Sequence, residues 1–333
     1  MKKTIWIVLI LCMSINFTLI GQKSIKPDTL FTTDHFTFHN NKWMNLHHFF
    51  YEQASHGQKK HLKDDGVNFI NTNDSLAVEQ LDNNAKEIFL SSVSFYKKNV
   101  INQPLLIKSG RILKWLQQQP YNKIADTTYS SSFTNVLNTL EPIYSKYFWE
   151  RHKTQNQLLL DRFKNTISAN EKYVIKKLEN LSGNQWSKVV RVDITAYGNW
   201  ASAYSPASDN IVVSSMDSLM HSTLFVEFVF HESSHLLFDR SSLFRKSLFQ
   251  ISKETNIKYP RNLWHAAMFY LSGLATKEAL GNSNIEHDLI MDKKKVFESY
   301  YKNEDFRNIL KTYYNSKIDI KECSTKLLEL KIS

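Results

Sequence analysis

Residues 224–238 are apolar at nine of fifteen positions, and the polar ones are Glu227, His231, Glu232, Ser233, Ser234 and His235. A stretch that is apolar almost all round belongs inside a protein, so it predicts a buried helix, roughly residues 218–240, with Asp217 or Ser218 as N-cap. Two histidines and a glutamate inside such a helix are costly unless they pair or bind a metal. Any fold for this chain has to satisfy that cost.

The spacing suggests how. His231 and His235 stand four residues apart, on one helical face and about one turn apart, so both imidazoles can reach a single ion. Glu232 is rotated by about 100° from His231, off the metal but near a water bound to it. Zinc lowers the pKa of such a water towards about 7, and a carboxylate there can take its proton as general base. Catalytic zinc usually takes three protein ligands, and one ion per chain is expected. With Cys12 removed by export, Cys323 is the sole cysteine, so the third ligand must be His, Asp or Glu. His265 is the preferred candidate, because it opens an otherwise apolar helix over residues 263–280. Glu278, further along that helix, is the alternative. Glu227 and Asp239, one turn before His231 and one after His235, are candidates to orient the imidazoles. Tyr270 is the candidate oxyanion stabiliser, with Tyr197 and Tyr204 as rivals. The histidines at 35, 39, 47, 48 and 56 follow no metal-ligand spacing and read as pocket or surface residues.

Around this motif the chain reads as α+β and predominantly helical. Only 8 Gly and 6 Pro in 333 residues argue against an all-β protein. A short helix is expected around residues 45–51 and long amphipathic helices over 75–118 and 134–181. Val190, Val192 and Ile194 alternate as one strand, and 200–205 and 210–215 are two further short strands. Ser182-Gly183-Asn184 is the break between a helical N-terminal region, 22–183, and a catalytic region, 184–333. Ahead of both, Lys2 and Lys3 precede an apolar stretch, which marks residues 1–21 as a signal peptide and the protein as secreted or periplasmic. Leu11 stands where lipid attachment at Cys12 needs a small residue, so lipoprotein anchoring is not expected. No other segment is apolar enough to span a bilayer. The net charge of +10 is spread along the chain, and no nucleic-acid motif appears.

At the strands and the His-Glu-x-x-His helix, the chain resembles the zincin superfamily of metallopeptidases. More closely it is similar to uncharacterised exported bacterial proteins. That likeness is carried by Asn45 to Phe49, Ile143-Tyr144, Trp149, His152, Asn199 to Tyr204, the motif helix, Trp264-His265, Phe269-Tyr270 and Gly273. The resemblance implies a zincin-like catalytic domain with a small antiparallel sheet, in which Ala201 to Ser205 is the edge strand that pairs with an extended substrate. It supports His265 as third ligand and implies a zinc metallopeptidase acting on peptides or proteins outside the cytoplasm. The chain lacks a third His six residues after the motif and a nearby Asn-Glu pair, so it departs from the common subgroups. A zinc hydrolase of another amide or ester bond would use the same site. A non-catalytic exported binding protein, with a structural metal or none, is the reading from a different class.

Overall fold

A computed structural model describes residues 28–55, 70–101, 109–198 and 202–330. The expected signal peptide, Cys12, His56 and residues 199–201 lie outside the described residues. The chain starts with a hairpin of β1 (Thr29–Thr32) and β2 (Phe36–His39). Helices α1 (Lys42–Ser55), α2 (Thr72–Glu79), α3 (Asn83–Asn99), α4 (Ser109–Leu116) and α5 (Ser131–Tyr144) follow. A π-helical turn, Ser145–Trp149, joins α5 to α6 (Glu150–Ser182). Then come β3 (Val190–Thr195), β4 (Ala203–Ala207), β5 (Asn210–Ser214) and a 3₁₀ turn, Ser218–His221. The rest is helical: α7 (Leu224–Ser234), α8 (Leu243–Thr255), α9 (Leu263–Asn282), α10 (Ile290–Lys294), α11 (Glu298–Tyr301), α12 (Glu304–Tyr314) and α13 (Ile320–Glu329).

The sheet is mixed, which corrects the expectation of an antiparallel one. Its order is β1-β2-β3-β5-β4, and β3 runs parallel to both β2 and β5. Parallel strands need cover on both faces, and the residues supply it. Ile211, Val212 and Val213 are consecutive and all fully buried. Val190, Val192, Ile194, Ile211 and Val213 join one core with α6, α7 and α9, whereas Val212 and Tyr204 join a second core with α1, α3 and α5. The sheet is therefore a middle layer between two sets of helices. β4 is an edge strand, antiparallel to β5, with a register shift between Tyr204 and Ala207. Pro206, which has no N–H to donate, fits at that edge.

Element boundaries differ from the sequence reading in three places. The long helix expected from residue 218 begins at Leu224, because Asp217 caps the 3₁₀ turn instead, accepting from Leu219 N at 2.9 Å. It ends at Ser234, although His235 at its C-cap keeps helical dihedrals, φ −56° and ψ −24°. The helix expected over 75–118 is broken into three. Nor does the break at Gly183 separate two cores: β1 and β2 complete the sheet of β3, and α6 packs on α7 and α9.

Gly183 closes α6 with φ +67°, and a Cβ there would lie 2.7 Å from Leu243 Cβ. Gly183→Ala is therefore expected to cost about 1–3 kcal/mol of folding stability, through left-handed backbone strain and overpacking. Denaturant unfolding measures it, and an unchanged midpoint would refute it.

Candidate metal centre

Helix α7 presents His231 and Glu232, its C-cap presents His235, and the first turn of α9 presents His265. One ligand atom from each of the three histidines lies within 4.8 Å of the other two. Their ring centroids are 5.6 Å apart for His231–His235, 5.7 Å for His231–His265 and 5.0 Å for His235–His265. Both helices are apolar enough to be buried on nearly every side, and that brings the three rings together. Phe269 packs on His231, and Trp264 and Phe297 pack on His265.

The chemistry of these atoms suits a metal. His265 Nε2 is buried without a hydrogen-bond partner. His231 Nδ1 lies 3.3 Å from Ser272 Oγ, and that hydroxyl donates onward to Phe269 O at 2.9 Å. Ser272 must then accept from Nδ1–H, which leaves the His231 Nε2 lone pair free. Burial first, then His235 and His265, holds His231 well below the usual imidazole pKa. Burial, with help from His265 and Arg245, brings His235 down to about 3. Burial and Arg245 bring His265 to about 4. The site thus offers neutral imidazoles at neutral pH, the form that binds zinc and other imidazole-preferring ions.

Glu232 stands beside these atoms. Its Oε1 is 4.0 Å from His231 Nε2, and its Oε2 is 3.9 Å from His235 Nε2. Ser205 on β4 fixes it, donating to Oε2 at 2.6 Å and lying 2.8 Å from the Glu232 carbonyl. Burial raises the carboxyl to about 7, with the Ser205 bond pulling the other way.

Other expected residues lie elsewhere. Tyr270 packs on Phe306, in the field of Arg307, Asp292 and Tyr301, and five residues after His265 it lies about 140° round the helix from it. Glu278 accepts from Tyr314 and lies 4.0 Å from Lys177, outside the histidine cluster. Glu227 orients no ligand: it is bound by His287 Nε2 at 2.7 Å and Ile290 N at 3.0 Å. Asp239 caps a turn through Ser241. Tyr197 donates to Asp74, and Tyr204 bonds His48 Nε2 at 2.7 Å. His47 and His48 are fully buried core residues rather than pocket or surface ones. His39 pairs with Asp28, and His35 lies 3.5 Å from Glu171.

Sequence reasoning missed Ser205, Ser272 and Arg245. Ser272 had a signal, since seven residues after His265 it lies two turns along the same face. Ser205 had a weaker one: alternation along β4 turns it opposite to Tyr204. Arg245 had none.

Two outcomes are expected. His265→Ala should weaken zinc binding by more than about 100-fold and Ser272→Ala by about 10-fold, while Glu278→Ala leaves it unchanged. Titration against a competing chelator reads all three, and a loss at Glu278 would move the third ligand there. The second concerns pH. Five histidines, the buried 47, 48 and 231 and the half-buried 235 and 265, have folded-state values below the ordinary 6.5. Below pH 6.5 the unfolded chain takes protons that the folded one refuses, so stability falls with pH. The raised values of Glu227 and Glu232 oppose this, but they are two groups against five. Metal-free protein should lose on the order of several kcal/mol between pH 7 and 5. A flat unfolding profile over that range would contradict it.

Comparison with known proteins finds no counterpart: no family model matches the chain, and neither a curated protein nor a solved structure matches it.

Proposed function

We propose that the chain is a zinc-dependent hydrolase built on the zincin plan, a metallopeptidase that cleaves peptides or proteins outside the cytoplasm. One observation carries the reading. Glu232 is held by Ser205 beside the Nε2 atoms of His231 and His235, 3.9–4.0 Å away, and is not one of the clustered ligand atoms. A purely structural site has no use for a buried carboxyl placed there.

His231, His235 and His265 are the residues that would hold zinc. Bound zinc would supply Lewis acidity towards the carbonyl under attack and the attacking water. The remaining work falls to the chain. Glu232 Oε2 is occupied by the Ser205 hydroxyl, so Oε1 is the atom that receives the proton of the attacking water and passes it to the leaving group. Ser272 fixes the His231 tautomer. Ser205 belongs to edge strand β4, so the base is attached to the strand along which an extended substrate would pair.

Glu232→Gln keeps the shape and removes the base. Zinc content and fold should stay near wild type, while hydrolysis in a peptide-library digestion falls by about 10²- to 10⁴-fold. Loss of zinc would make Glu232 a ligand, and an intact activity would place the chemistry elsewhere.

A further inference from the structure

Beside the three histidines stands a cation with no anion. The Arg245 guanidinium lies 4.0 Å over the ring of Trp264, and that indole packs against His235 at 5.9 Å and His265 at 5.2 Å between ring centroids. Among the described residues no carboxylate pairs with Arg245; its guanidinium hydrogen-bonds the hydroxyl of Tyr259, and its charge bears on His235 and His265. That hydroxyl is buried, and nothing accepts its hydrogen. An arginine can only donate, so Tyr259 receives that bond with its own hydrogen unspent, and the spot has donors to spare with no carboxylate among the described residues to take them. The surroundings share the sign. Between residues 240 and 262 stand Arg240, Arg245, Lys246, Lys253, Lys258 and Arg261 against the single acid Glu254. A half-buried guanidinium normally finds a carboxylate within the protein, since the planar fork matches one in two parallel hydrogen bonds. Here, none is supplied among the described residues.

We propose that Arg245 and Tyr259 form an anion subsite of the hydrolase, one that receives a carboxylate of the substrate and so selects acidic or C-terminal peptide segments. This rests on the zinc-hydrolase reading above and names its substrate class. The guanidinium donates to the carboxylate, Tyr259 adds the hydrogen it has not spent, and Trp264 keeps the cation flat against the wall that carries two of the histidines. Arg245 is thus a specificity residue, not part of the machinery that moves protons.

The test uses zinc-loaded protein and two pairs of hydroxamate-capped dipeptides, each pair differing by one carboxylate. The first is Leu-Ala with a free or an amidated C-terminus, and the second is Asp-Ala amide against Asn-Ala amide. Titration calorimetry should show the wild type favouring the carboxylate member of at least one pair by about 10-fold or more. The pair that shows it tells whether the carboxylate comes from a chain end or a side chain. Arg245→Gln should erase that preference while leaving the neutral compounds and the zinc content unchanged, and Arg245→Lys should retain part of it. Equal binding within both pairs by wild type would overturn the subsite and leave the zinc site standing. Failure of all four hydroxamates to bind a protein with verified zinc would instead overturn the hydrolase reading, and the subsite with it.

Discussion

Helices α7 and α9 meet along a face that is apolar except for His231, Ser272, the half-buried His235 and His265, and Glu227, whose carboxyl lies against Gly273. Everything at the site depends on that contact. Phe269, Trp264 and Phe297 pack around the imidazoles, burial holds these neutral, and one ring nitrogen is left without a partner. The same burial raises the Glu232 carboxyl to about 7. One physical cause, desolvation, thus acts on both the three imidazoles and the Glu232 carboxyl, and moves them in opposite directions because one is charged when protonated and the other when not.

The motif and its third histidine were legible in the sequence because a polar residue inside an apolar helix is a visible cost. His231 and His235 announce themselves by a spacing of one turn, and His265 by its isolation at the head of α9. Glu227 had the same visibility, but the wrong partner was assigned to it: His287 comes from sixty residues away, and no periodicity reports a contact across that distance. Tyr270, five residues after His265 on the same helix, lies well round from it and packs on Phe306.

Of the sheet's five strands, β3, β4 and β5 were legible in the sequence, whereas β1, β2 and the mixed pairing were not. β3 and β5 occur where expected, and β4 begins at Ala203, within the expected 200–205, and runs on to Ala207. Their pairing depends on β2, which arrives from the far side of a hundred and fifty residues of mostly helical chain. The run Ile211-Val212-Val213 was the available clue, since three consecutive buried residues need cover on both faces.

His48 and Ser205 lie at two ends of a short chain of contacts with a mechanical meaning. His48, on α1, holds the hydroxyl of Tyr204, and the next residue along β4 holds Glu232. Adjacent residues of the five-residue strand β4 therefore link the opening helix to the carboxyl at the imidazoles. The segment that contains α1 is thus no detachable leader to a self-sufficient back half. Were it cut away, β3 would become a bare edge with unpaired parallel hydrogen bonds, and Tyr204 would lose its anchor. The front of this chain is the part that keeps the carboxyl aimed.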